Sequence, residues 1–155
     1  MTQSGAILLA SAADTDALGA ALAGLLRIGD VVALCGPLGA GKTSLARGIL
    51  SALGLSEEAP SPSYNLVIAY EPPEVRIPVW HIDLYRIEDA DEIDELGLGD
   101  ARSDTVLLIE WPERMGDRLW PDALQFSLEP APDGGRRLTW SVPAAWEMRW
   151  PPHRS

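Results

Sequence analysis

Positive charge is scarce in this 155-residue chain, where 12 Lys and Arg stand against 23 Asp and Glu for a formal net charge of −11. Nucleic-acid backbones are held mainly by Lys and Arg that displace counterions. Extensive direct contact with DNA or RNA is therefore not expected, and the only concentration of basic residues for a local patch is Arg136, Arg137, Arg149 and Arg154. Cysteine occurs once, at Cys35, which excludes an internal disulfide and suits a small core residue. No apolar run approaches the ~18 residues that span a bilayer. The opening "MTQSGAILLASAAD" shows neither a charged leader nor a long apolar stretch. These absences lead to the expectation of a cytoplasmic protein with no membrane segment.

Hydrophobic residues make up 46% and charged residues 23% of the chain, a globular balance, and the length suits one domain spanning residues 1–155. "DTDALGAALAGLL" spaces Leu18, Ala21, Leu22, Leu25 and Leu26 as one face of a helix, with Asp14 or Thr15 as its cap. "DVVALCG" reads as a strand buried on both faces, followed by a helix from Lys42 to Leu53. Pro60 and Pro62 forbid helix, so a loop precedes a strand from Tyr64 to Tyr70. "VRIPVWHIDLY" is a further strand with a bulge or late start at Pro78. "EDADEIDELGLGD" suits a short acidic helix closed by Gly97 with a solvated face, and "DTVLLIEW" a second fully apolar strand. After Pro112, "ALQFSLEP" and "RRLTWSV" form a hairpin through "APDGG", and residues 144–155 read as a loose tail. The fold class is α/β, a mostly parallel central sheet flanked by helices with an antiparallel C-terminal extension.

In such sheets ligands sit beyond the carboxyl ends of the strands. There the sequence places Gly36-Pro37-Leu38-Gly39-Ala40-Gly41-Lys42-Thr43, which satisfies the phosphate-loop pattern G-x-x-x-x-G-K-S/T between a strand and a helix. Backbone N–H groups of such a loop turn inward as an anion nest, the helix N-terminus adds partial positive charge, and Lys42 reaches the terminal phosphates. Ser44 follows in the same turn, and the Thr43 hydroxyl is a candidate Mg²⁺ ligand.

A phosphate loop is usually partnered by a carboxylate at the end of a neighbouring strand. Glu110 in "VLLIEW" and Asp83 in "VWHIDLYR" are the candidates for the metal or the hydrolytic water. Alternation puts His81 and Asp83 on one strand face and Trp80, Ile82 and Leu84 on the other. Trp111 either packs over the nucleotide or fills the core, and "SPSY", Ser61-Pro62-Ser63-Tyr64, lies where such proteins often carry a nucleotide-sensing switch. A P-loop small-molecule or nucleoside kinase is one reading of this set, but no Arg-rich lid lies between the loop and Glu110. A GTP switch is another, but N-K-x-D is missing. A nucleotide-dependent binding module without significant turnover is the third.

The ordered blocks "GPLGAGKTSLARG", "SPSYNLV", "HIDLYR", "ELGL" and "LIEWPER" resemble the TsaE (YjeE) family, the P-loop ATPase of bacterial tRNA threonylcarbamoyladenosine biosynthesis. The likeness runs from about Thr15 to about Arg114. It implies ATP and Mg²⁺ as cofactors, phosphate binding by Lys42, and metal coordination by Thr43 and Glu110 with Asp83 assisting. It also implies a switch at Ser61–Tyr64, here S-P-S-Y where the family has S-P-T-Y, and places Thr15 near the adenine. The implied partner is the TsaB/TsaD heterodimer, reset by weak, partner-stimulated ATP hydrolysis, with tRNA met only through that complex.

Overall fold

In the computed structural model, residues 3–37, 39–57, 59–60 and 66–151 are described. Strands β1 (Gln3–Leu9), β2 (Val31–Cys35), β3 (Val67–Tyr70), β4 (Val79–Asp83), β5 (Val106–Glu110), β6 (Leu124–Pro130) and β7 (Arg136–Val142) form one sheet in the order β1-β7-β6-β2-β5-β4-β3. The central strands β6, β2, β5 and β4 run parallel, as the apolar runs of β2 and β5 imply. Antiparallel strands extend both edges: β7 and β1 beside β6, and β3 beside β4. The first of these edge strands, β1, went unforeseen because "SGAILL" lacks the alternation that marks a half-buried strand. Pro78 stands just before β4, so the late start is what occurs there.

Helix α1 (Ala12–Ala23) begins one turn earlier than expected. Its cap is Ser11, whose hydroxyl accepts from Asp14 N at 3.3 Å, while Asp14 turns back to accept from Ala10 N at 2.9 Å. Leu25 and Leu26 lie past its end. Helix α2 (Lys42–Ala52) packs on α1 at Gly19 and Gly48, where a Cβ on Gly19 would stand 2.9 Å from the Gly48 carbonyl carbon. The acidic segment folds as two short helices, α3 (Asp91–Asp94) and α4 (Leu98–Arg102), because Gly97 enters the left-handed region at φ +67° and restarts the chain instead of ending it. No helix among the described residues is long and apolar enough to cross a membrane.

Strand parity divides the interior. Val32, Leu34, Val79, Val106 and Leu108 face α1 and α2, whereas Val31, Ile82, Leu107 and Ile109 face α3, α4 and the 3-10 segment Pro112–Arg118. The same parity carries His81, Asp83 and Glu110 to the α2 face. The sheet's direction of growth reverses at β2, with β5 on one side and β6 on the other. The loop after β2 therefore leaves from the switch point, where open sheets bind ligands.

Within the segment expected to be loose, Trp146 and Trp150 are each 1% exposed. Arg149 holds them in place by donating to Asp30 Oδ2 at 2.7 Å, Asp30 Oδ1 at 2.9 Å and Leu25 O at 3.0 Å, with its guanidinium 3.9 Å from the Trp146 ring centroid. Arg149, one of the basic residues that could have supplied a local patch, is spent inside the fold. Arg149→Ala should lower unfolding stability by about 3 kcal/mol, because it strands a mostly buried carboxylate without its charged partner. Urea denaturation reads this directly; a loss under about 1 kcal/mol would mean that solvent already screens the pair.

Candidate functional site

β2 runs straight into the loop. Gly36, at φ +142°, lets the chain pass so close to β6 that a Cβ would lie 2.4 Å from Leu128 O. Gly41, at φ +103°, is the N-cap of α2 and has no side chain to cap it. The first N–H groups of α2, those of Lys42, Thr43 and Ser44, lack intrahelical partners and make an anion-binding terminus. Lys42 is the chain's only lysine and is 5% exposed. Its ammonium folds back to donate to Gly36 O and, at 3.2 Å, to Pro37 O, and lies 3.8 Å from the centroid of the Trp111 ring. Burial pushes the Lys42 pKa down, opposed by the carboxylates of Glu110, Glu113 and Asp83.

Opposite the helix, the parallel register sets Asp83 beside Glu110 at the ends of β4 and β5. Glu110 is 2% exposed and is held at both oxygens. Thr43 Oγ1 donates to Oε1 at 2.8 Å, and His81 Nε2 lies 2.6 Å from Oε2. His81 is fully buried and its Nδ1 has no partner among the described residues. A single ring proton on Nε2 therefore satisfies Glu110 without leaving an unpaired buried N–H. Asp83 Oδ1 accepts from Tyr85 N at 2.9 Å. Trp111 ends β5 in left-handed backbone, φ +60°, which turns its ring against Tyr85 at a centroid distance of 5.0 Å. Burial and the Glu113 carboxylate raise the thiol pKa of the neighbouring Cys35.

Among the described residues, one smaller and one larger cavity open on the loop. The smaller, 260 Å³, brings Lys42, Thr43, Asp83, Glu110 and Trp111 together. The larger, 740 Å³, lies along α1 and α2 and is lined by Thr15, Asp16 and Arg47 among others, so Thr15 and Trp111 face different chambers. Gly41, Ser44 and Arg136 line both. Leu38 and the switch candidates Ser61, Pro62, Ser63 and Tyr64 lie outside the described residues. Two features escaped the sequence. Alternation puts His81 on the face of Asp83 but gives it no partner, and its contact with Glu110 needs the alignment of β4 with β5. Arg136 stood out in the sequence only as one of a basic group, and the placement of β7 beside the loop is what brings it there.

The side chains beside the loop that could hold a metal offer hard oxygens: the Thr43 hydroxyl and the Glu110 and Asp83 carboxylates. Among the described residues no three His, Cys, Asp or Glu side chains gather into a closed cage. Hard oxygen donors fit Mg²⁺, which keeps several waters and takes one or two carboxylates plus phosphate oxygens.

A family model described as threonylcarbamoyl adenosine biosynthesis protein TsaE matches residues 9–138. The chain belongs to the TsaE family. It is 38% identical over 149 residues to the tRNA threonylcarbamoyladenosine biosynthesis protein TsaE of Mycobacterium bovis, covering 91% of this chain and 89% of that one. It is 33% identical over 130 residues to the protein of that name from Bacillus subtilis, covering 83% and 80%. The crystal structure of Bacillus subtilis YdiB superposes with a TM-score of 0.76 at 26% identity, covering 94% of this chain and 89% of that one. TsaE membership makes the protein P-loop ATPase-like, which accords with a nucleotide-binding loop.

In this TsaE-family site, His81→Leu removes the donor to a buried Glu110 oxygen and should cost about 1–3 kcal/mol of stability. With Glu110→Leu already in place, the same change should cost much less. Equal losses in the two backgrounds, read by chemical unfolding, would show that His81 serves only to fill space.

Proposed function

We propose that this protein is the cytoplasmic ATPase of threonylcarbamoyladenosine formation in tRNA, binding the TsaB/TsaD heterodimer and resetting it through ATP binding and hydrolysis. The observation that carries this reading is the convergence of Lys42, Thr43, Asp83 and Glu110 on one cavity at the loop. The names of its relatives supply the pathway. tRNA meets the protein only through the complex, in keeping with the net charge of −11.

The division of labour follows from position. The N–H groups at the start of α2 bind phosphate oxygens, and Lys42 exchanges its loop carbonyls for the terminal phosphate. Thr43 and Glu110 would hold Mg²⁺, with Asp83 beside them; bound there, the ion neutralises phosphate charge. Asp83, whose Oδ1 accepts from the Tyr85 N–H, would accept a hydrogen bond from the attacking water. The water oxygen bonds to the γ-phosphorus as the β,γ-bridging P–O bond breaks, ADP carries away that electron pair, and the water proton passes to phosphate or solvent. Lys42 pays out of an existing set of hydrogen bonds to reach phosphate, which suits weak turnover alone and stimulation when a partner closes the site.

Lys42→Ala and Glu110→Ala should each reduce ATP hydrolysis in the TsaB/TsaD assembly by at least about a hundredfold. Phosphate release with and without the heterodimer measures this, and normal hydrolysis by both variants would remove these residues from the site. Supplying the chain to cells that lack the ATPase should restore threonylcarbamoyladenosine in tRNA. Failure of an expressed, folded protein to do so would break the pathway assignment.

A further inference from the structure

We propose that His81 is a positioning residue for the metal: by donating from Nε2 to Glu110 Oε2 it makes that carboxylate a one-oxygen ligand, and so favours Mg²⁺ over Ca²⁺. The proposal rests on the nucleotide and metal reading of the loop and adds to it a buried residue that would touch neither ligand. His81 lies on β4 two residues before Asp83, and Glu110 ends the neighbouring parallel strand β5. The imidazole is fully buried, with Nε2 2.6 Å from Oε2. Strand register, and no flexible loop, sets this contact.

An ionised carboxylate has two oxygens and can meet a cation with one or with both. In Glu110 the two are held differently. Oε2 faces the imidazole within the sheet layer, whereas Oε1 accepts from the Thr43 hydroxyl at 2.8 Å, where the loop passes into α2. Thr43 and Glu110 line the smaller cavity together, so Oε1 is the oxygen on the side of the proposed metal. The other ring nitrogen of His81, Nδ1, is buried without a partner among the described residues. The bond to Glu110 is therefore the ring's polar anchor there, and turning the ring to release Oε2 would leave a buried N–H unmet.

The two common hard cations ask different things of a carboxylate. Ca²⁺ accepts many oxygens in flexible geometry and often takes both from one carboxylate. Mg²⁺ is smaller, demands near-octahedral order and keeps several of its waters. A Glu110 that presents Oε1 alone suits the second ion. Outer hydrogen bonds that orient a ligand in this way are typically worth about ten- to a hundredfold in metal affinity.

The test is calorimetric titration of the intact chain with β,γ-imido-ATP, which resists hydrolysis, in Mg²⁺, in Ca²⁺ and in chelator. In the wild-type protein Mg²⁺ should tighten binding more than Ca²⁺ does. His81→Leu should keep the affinity in chelator and lose about tenfold or more of the gain from Mg²⁺, with the gain from Ca²⁺ retained. His81→Gln, whose amide can donate near the place of Nε2, should recover most of the preference for Mg²⁺. An unchanged Mg²⁺-to-Ca²⁺ ratio in His81→Leu overturns the proposal even if the variant is less stable, since filling space would then be the residue's whole role. Equal weakening in all three conditions overturns it too, as does a His81→Gln protein that behaves like His81→Leu. Should neither variant fold, nitrogen-15 NMR of the wild-type histidines decides: a protonated Nε2 on His81 in the Mg²⁺ complex supports the proposal, and an unprotonated one overturns it. If Mg²⁺ does not tighten wild-type binding at all, the metal reading itself falls, a result distinct from an unchanged ratio in His81→Leu.

Discussion

The structure turns on one carboxylate. Glu110 ties together three elements that are far apart in the chain: β5, which carries it, α2 through Thr43, and β4 through His81. A buried carboxylate is tolerated only where its lone pairs are met, and here one oxygen faces the helix and the other the sheet. His81 fixes the far oxygen, so the near one is aimed at Thr43, where the loop ends. The apolar runs of β2 and β5 give the scaffold that makes this aim possible, since parallel strands buried on both faces leave little freedom of register.

Lys42 shows the complementary constraint. Its ammonium is buried, bonded to loop carbonyls and covered by the Trp111 ring, which is reached only because Trp111 takes a left-handed backbone at the strand end. That conformation costs free energy in a bulky residue and tends to persist where surrounding structure imposes it at functional sites. Trp111, Tyr85 and Lys42 thus form one cluster along the smaller cavity, with Tyr85 tilted against Trp111 and the ammonium over the Trp111 ring. In the proposed nucleotide site, exchange of Lys42 from carbonyl to phosphate would need only a local rearrangement of this cluster.

Most of this arrangement was legible in the residues. The loop, the two buried strands, and the shared face of His81 and Asp83 follow from motif and parity, which are local properties. What was hidden is non-local. The pairing of β1 with β7 joins opposite ends of the chain, and its sequence carries no alternation to announce it. The Ser11 cap depends on how the chain leaves β1, and the packing of Trp146 and Trp150 depends on Arg149 finding Asp30 across the fold. His81 could be placed on its face by counting, but its partner could not be known until β4 and β5 were aligned.

The scarcity of cations gains a meaning from where they sit. Arg76 donates to the last turn of α1 at Ala23 O, Arg102 to Gly29 O, and Arg149 to Leu25 O. Each satisfies a carbonyl at a turn or helix end that lies partly out of water, where an unmet acceptor costs more than a met one returns. Arg27, Arg86, Arg114, Arg118 and Arg137 remain exposed, yet 23 Asp and Glu against 12 Lys and Arg leave the outer shell acidic. Against that shell, the cations gathered at the loop, Lys42 and Arg136, stand out as a local reversal of sign. An anionic ligand entering this site leaves a repulsive exterior for a small attractive mouth, so its affinity depends on those two side chains and the α2 terminus, with little help from the field of the whole protein.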